Sequence, residues 1–289
     1  PTYACTGANG FIASHLVTKV LESANVRAIV RRDEDSPEVE CLRQLQARAA
    51  RITSAPRTPA TSPAVRPCDA LAQASYPGKL TIHKVEELTN TDALAEAFKG
   101  VDGVFHMAAI HPKYGFEETP EGRKALVATA VEGTLSALQA CVAAGIKRVV
   151  LTSSLAAVEC GNDEGTLTEN TWSKAEVFDA TEKLDNTTWG THYTYVKSKT
   201  EQERSAIEFA SKHELDLRVV VPGNLCVGPI ANKQINGTMR RISDIMQGTN
   251  TLKGAADLGV VHVADVVDAH VACMTKRTPR AATSSRATW

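Results

Sequence analysis

The chain has 289 residues, 43% of them apolar and 22% charged, which is enough for one large α/β domain with a small additional lobe and ordinary for a globular protein. A net charge of −1 and only 5% aromatic residues give no support to a nucleic-acid partner, which would need a basic or base-stacking surface. Seven cysteines, odd in number and with no C-x-x-C, suggest neither a disulfide framework nor a zinc site and fit a reducing, cytoplasmic setting.

An apolar run, Thr2 to Cys5, leads into Thr6-Gly7-Ala8-Asn9-Gly10-Phe11-Ile12-Ala13. Beyond it Ile12, Leu16, Val17, Val20 and Leu21 recur at helix spacing. The reading is strand–turn–helix, the opening unit of a dinucleotide-binding fold. Gly7 serves the tight turn, Gly10 lets backbone approach a pyrophosphate, and Ala13 lets the helix pack on the strand. The helix N-terminus then presents free N–H groups and its positive dipole end to phosphate.

Val26 to Val30 reads as the second strand, and it ends in Arg31-Arg32-Asp33. In this fold that position lies beside the adenosine ribose. Arg31 at the strand end suits the 2′-phosphate of NADP, whereas an acidic residue there would suit NAD, so NADP(H) is expected over NAD(H). Pro37 to Gln46 is a helix; residues 47–79, rich in Ala, Pro, Ser and Thr, read as a flexible surface insertion. Leu80 to Val85 is a strand, Asp92 to Phe98 a helix, and Val101 to Met107 a strand followed by the small pair Ala108-Ala109. Thr119 to Ala144 is a long helix, and Val149 to Leu151 a strand ending in Thr152-Ser153-Ser154. Tyr195 to Lys212 is helical, and Leu217 to Val221 is a strand stopped by Pro222-Gly223. The longest apolar candidate, Leu135 to Leu151, is broken by Lys147 and Arg148, so no membrane span of the required ~18 residues is expected.

Strand alternating with helix implies a doubly wound parallel sheet, a Rossmann fold, covered on both faces. Ligands in such sheets sit at the carboxyl ends of the strands, where Gly7, Arg31, Ala108, Ser154 and Pro222 all fall. Tyr195 and Lys199 stand at i and i+4 on one helix face, so the ammonium is expected to favour the phenolate and lower the tyrosine pKa from about 10. Such a tyrosine can give a proton to a carbonyl oxygen while hydride arrives at carbon, with Ser154 holding that oxygen. Tyr193 and Lys197 match the same spacing, so spacing alone does not choose between the registers. Trp172 and Trp189, between Ser154 and the helix, either wall an apolar pocket or pin the loop. His106, His111, His262 and His270 form no metal-ligand pattern and are expected to be structural; no metal is expected.

The motifs as a set resemble the extended short-chain dehydrogenase/reductases of the NAD-dependent epimerase/dehydratase superfamily. Within it the chain is most similar to the dihydroflavonol 4-reductase, cinnamoyl-CoA reductase and fungal aldehyde reductase group. The stretches that carry the resemblance are residues 6–14, 100–109, Val131-Glu132-Gly133-Thr134, 148–154, 195–201, 222–229 and 262–270. The family pattern Y-x-x-S-K-T-x-x-E selects Tyr195 and Lys199 over the other register, and Ser154 from the serine pair. The resemblance implies that Gly7, Asn9, Gly10, Phe11 and Ile12 line the pyrophosphate and that Arg31 meets the 2′-phosphate. Glu87, where the family carries Asp, would lie with Leu88 beside the adenine, and Ala108 and Ala109 would flank the cofactor. Pro222 to Leu225 would pass the nicotinamide, and Lys199 would hold its ribose. Glu159 sits where the resembling reductases place a residue that faces substrate.

The expected organisation is a dinucleotide-binding domain over 1–221, part of a small, incomplete substrate lobe over 222–259, a return segment over 260–275 and a tail over 276–289. The chain stops soon after His270, where the resembling reductases continue for some dozens of residues. The expected activity is NADPH-dependent reduction of an aldehyde or ketone, with a small-molecule carbonyl compound as substrate and neither nucleic acid nor membrane as partner. Homodimers are common in the resembling family, although the sequence specifies no interface. The rival readings are a hydroxysteroid dehydrogenase or sugar-nucleotide epimerase of the same superfamily, and a non-catalytic NADP-binding sensor.

Overall fold

The computed structural model describes residues 1–52, 76–109, 119–162, 165–174, 188–229, 237–248, 259–276 and 284–288. Seven parallel strands form one sheet in the order β3-β2-β1-β4-β5-β6-β9. They are β1 (Thr2–Thr6), β2 (Asn25–Val30), β3 (Leu80–Lys84), β4 (Gly103–His106), β5 (Arg148–Thr152), β6 (Asp216–Val221) and β9 (Ser284–Thr288). A second, two-stranded parallel sheet pairs β7 (Leu225–Val227) with β8 (Val260–His262). The helices are α1 (Phe11–Val20), α2 (Glu40–Ile52), α3 (Thr91–Phe98), α4 (Pro120–Ala143), α5 (Thr188–Lys212), α6 (Gly237–Met246) and α7 (Val263–Thr275).

The strand order reverses direction between β1 and β4, and that crevice is where a doubly wound sheet takes its ligand. The central strands are buried on both faces: Ala4, Val104, Val149, Val150, Leu217 and Val219 are all fully enclosed, as helices on both sides require. One core layer packs α1, α2 and α7 against Phe105, Val150 and Val220. The other packs Leu94 and Phe98 of α3, Leu138 and Cys141 of α4, and Ala206 and Ala210 of α5 against Val104, Val149 and Val219.

Four elements differ from the sequence reading. The expected insertion does not begin at residue 47, because α2 continues to Ile52. Its run Ala47-Arg48-Ala49-Ala50 consists of strong helix formers, and Leu42, Leu45 and Ala49 keep one face buried. At the other end of the same stretch, Tyr76 is enclosed in the core and Gly78 donates to the Leu21 carbonyl. A Cβ at Gly78 would lie 1.9 Å from the Ala24 carbonyl oxygen, so this approach belongs to the packed domain. Residues 53–75 lie outside the described residues. The expected tail contains β9, which extends the sheet by pairing with β6 from Leu217↔Ser284 to Val221↔Thr288. Backbone pairing on an open sheet edge needs no apolar alternation, which is why Ser-Ser-Arg-Ala-Thr does not read as a strand. Helix α5 starts at Thr188, seven residues before the expected Tyr195. Finally, Glu121–Ala143 is long and apolar enough to cross a membrane by length and composition, with mean hydropathy 1.4. Here that helix packs against α3 and α5, and its apolar residues serve those contacts.

Candidate active site

The turn after β1 brings the sheet's switch point together. Gly7 has φ +64°, and a Cβ there would lie 2.8 Å from Ala108 Cα at the end of β4. A side chain at residue 7 is therefore barred twice, by conformation and by backbone contact. Gly10 caps α1 in an extended conformation, with no side chain bonded to the first turn and no acidic residue in it. The first N–H groups of α1 thus face a small-residue cradle with no competing carboxylate in that turn, which fits a dinucleotide pyrophosphate.

The remaining residues named for the cofactor spread along the same edge. The Asn9 amide donates to the Glu38 carbonyl at 3.3 Å, tying the glycine turn to the short 3-10 turn Pro37–Val39. Phe11 stacks edge-on to His15 at 5.5 Å, and it and Ile12 pack against the core. Arg31 is exposed at the end of β2. Asp33 is bound instead to Lys84 Nζ at 2.7 Å, which lowers its carboxyl pKa. Arg31, exposed and cationic at the end of β2, fits a 2′-phosphate. Glu87 is exposed, Leu88 rests against Gly133 of α4, and Ala108 and Ala109 follow β4 at the surface of the crevice.

Ser154 and Tyr195 meet by a side-chain hydrogen bond, and the Ser154 hydroxyl also accepts from Ala156 N–H at 3.2 Å. The neighbouring serine turns the other way: Ser153 donates to Glu203 Oε2 at 2.5 Å in the buried layer. Alternation along the extended chain thus sends one hydroxyl of the pair to the crevice and one to the core. On α5, Lys199 is buried, donating to Gln202 Oε1 at 3.1 Å and the Thr152 carbonyl at 3.4 Å. Lys197 lies at the surface, 3.9 Å from Glu201. Burial pulls the Lys199 ammonium down to about 8, against the opposing pull of Glu203. The Tyr195 phenol departs from expectation. Burial raises its pKa, and the Ser154 bond, which lowers it, is the smaller effect. The lysine-driven lowering read from the sequence is not the balance found, because the helix places the ring in an apolar cluster with Ala156 and Val196.

Pro222 is buried with its carbonyl accepting from Leu155 N–H, and Leu225 is buried in β7. Glu159 accepts from the Asn224 amide with both carboxylate oxygens, at 2.8 and 3.0 Å. Trp172 lies under the Arg204 guanidinium at 4.8 Å, and its carbonyl accepts from Asn162, so it pins the loop to α5. The side chain of Trp189 and all of His111 lie outside the described residues. His262 caps α7 by accepting from Ala264 N–H, and among the described residues no three His, Cys, Asp or Glu gather as metal ligands.

Sequence reasoning missed a buried polar chain behind Lys199. Gln202 donates to Thr134 Oγ1 at 2.6 Å, and Thr134 meets His106 Nε2 at 3.2 Å. His106 Nδ1 meets Thr6 Oγ1 at 2.9 Å, and Thr6 Oγ1 accepts from Met107 and Ala108 N–H, each at 3.2 Å. The only signals were Thr134 within Val131-Glu132-Gly133-Thr134 and polar residues inside apolar runs.

A parallel sheet with a glycine cradle at its switch point, and a serine, tyrosine and buried lysine beside it, is the arrangement of a dinucleotide-dependent oxidoreductase. The chain belongs to the NAD dependent epimerase/dehydratase family, whose sequence model matches residues 4–283. It is 30% identical over 281 residues to tetraketide alpha-pyrone reductase 2 of Arabidopsis thaliana, covering 94% of this chain and 73% of that one. It is 30% identical over 271 residues to cinnamoyl-CoA reductase CAD2 of Medicago truncatula, covering 92% and 70%. Among solved structures, yeast methylglyoxal/isovaleraldehyde reductase Gre2 complexed with NADPH aligns with TM-score 0.71 at 23% identity, over 100% of this chain and 77% of that one.

Proposed function

We propose that this chain is an NADPH-dependent carbonyl reductase in which Tyr195 is the proton donor, Ser154 holds the carbonyl oxygen and Lys199 holds the nicotinamide ribose. The observation that carries this reading is the Ser154–Tyr195 hydrogen bond beside buried Lys199 at the carboxyl ends of the sheet. NADPH, when bound, supplies the hydride. The raised phenol pKa keeps Tyr195 protonated at neutral pH, so it is loaded as a proton donor. The Ser154 hydroxyl both steadies the phenol and offers a donor to the same oxygen. Lys199, still largely cationic below about pH 8, favours the phenolate left behind after the proton has gone.

The substrate we infer is a small or medium, largely apolar aldehyde or ketone, aromatic ones included. Support comes from the apolar residues around Tyr195 and from Leu155 near Gly259, which gives that side of the site a hydrocarbon wall. The similar proteins named for cinnamoyl-CoA and tetraketide alpha-pyrones point the same way. The test is NADPH consumption, then NADH consumption, with a panel of aryl and alkyl aldehydes and ketones. Turnover with NADPH and weak turnover with NADH is expected. Saturable NADPH binding with no turnover on any member would overturn the reductase reading in favour of a sensor.

A further inference from the structure

Hydrogen-bond accounting fixes the direction of every bond in the buried chain behind Lys199. An ammonium only donates, so Gln202 presents its oxygen to Lys199 and its amide N–H to Thr134. At the far end, Thr6 Oγ1 accepts two backbone N–H groups, from Met107 and Ala108, and a hydroxyl has two lone pairs. Its own proton must then go to His106 Nδ1, which acts as acceptor. His106 is therefore the neutral Nε2–H tautomer, and that N–H donates to Thr134. An imidazolium would need a third acceptor site on Thr6, so the chain admits only neutral His106. Burial and the nearby Lys199 charge act in the same direction, holding the imidazole down at about 4. Thr134 is the point where donors from both ends converge, and Thr6, His106, Thr134, Gln202 and Lys199 are all buried.

We propose that Gln202, Thr134 and His106 are positioning residues that hold the Lys199 ammonium at the cofactor crevice and lock it to the Met107–Ala108 turn on the crevice's opposite wall. All three are buried, and they act through Lys199 and through the segment that Gly7 packs on. The relay spans α5, α4, β4 and β1, so it fixes the distance between the lysine and the glycine cradle across the switch point. This inference rests on the reductase reading for the role of Lys199.

The test uses the full chain with Thr134→Val, which keeps the shape and removes the convergent acceptor. Gln202→Met serves as the second variant and Thr134→Ser as the conservative control. The groups facing Lys199 are Glu203 and Gln202 on its own helix, neutral His106 on β4 and the Thr152 carbonyl on β5. Once the Gln202 oxygen is lost or displaced, the ammonium is less well held. The alkaline limb of kcat then moves to lower pH by about one unit. NADPH affinity, read by direct titration without turnover, falls about ten-fold in both variants and returns in Thr134→Ser. If Thr134→Val does not fold, Gln202→Met carries the same measurements. Folded variants with the parent's alkaline limb and the parent's NADPH affinity would overturn the relay. A parent that binds NADPH but reduces nothing would overturn the reductase reading instead, and the binding titration would still judge the relay.

Discussion

The two halves of the sheet's carboxyl edge are built on opposite principles. On the β4–β5 side, polar groups are buried and cross-bonded: Ser153 to Glu203, Lys199 to Gln202, His106 to Thr6 and Thr134, and His270 to Thr152 at 2.7 Å. On the β2–β3 side, Arg31, Asp33, Lys84 and Glu86 are exposed, and their pairs form in water. Buried polar groups are costly unless partnered, so the first half has essentially one arrangement. Exposed charges are weakly coupled and screened by salt, so the second half adjusts to what binds. Ser154, Tyr195 and Lys199, the groups proposed to react, lie in the rigid half, and Arg31, proposed to meet the 2′-phosphate, in the adaptable one.

The largest effect is expected at the seam between the halves. Gly7→Val forces a β-branched residue to φ +64° and drives its Cβ against the Ala108 backbone. A loss of about 3 kcal/mol in stability, or of cofactor binding in whatever folds, is expected from chemical denaturation and NADPH titration. A Gly7→Val chain with parental stability and affinity would mean that the cradle is not tight.

Acid separates the two halves next. His106 and His270 are both pulled down to about 4 from 6.5 by burial. Because the unfolded chain takes up these protons first, the stability they confer is complete above pH 6.5 and is lost as pH falls through about 4. Each site sets an upper bound of about 3 kcal/mol. His270 Nδ1 donates to the Val266 carbonyl and Nε2 accepts from Thr152, so charging it forces the Thr152 hydroxyl to turn from donor to acceptor and leaves a cation buried. A Tm profile should decline over this window, and His270→Gln should flatten it.

Arg31→Ala probes the exposed half. NADPH affinity should fall about ten- to one hundred-fold while NADH affinity stays level, and the NADPH loss should shrink at high salt. Equal loss for both cofactors would remove Arg31 from the 2′-phosphate role.

Legibility followed locality. The strand–turn–helix at Gly7 was readable because its glycines and helix period lie within a few residues of each other. The Ser154 side of the serine pair and the Lys199 register came from a multi-residue pattern, since spacing alone also admitted Tyr193 and Lys197. The relay was not readable: Thr6 pairs with a histidine 100 residues away and Thr134 with a glutamine 68 residues away. The phenol pKa was misjudged because burial outweighs local bonds, and burial is a tertiary property. Strand β9 was invisible because edge pairing is carried by backbone rather than by side-chain pattern.

If Tyr195 delivers the proton, as proposed, the site without its hydroxyl should still bind cofactor. The most direct measurement is Tyr195→Phe, with NADPH affinity and carbonyl turnover determined on the same preparation. Parental affinity with turnover reduced by about a thousand-fold is expected. Parental turnover in folded Tyr195→Phe would contradict the proposal.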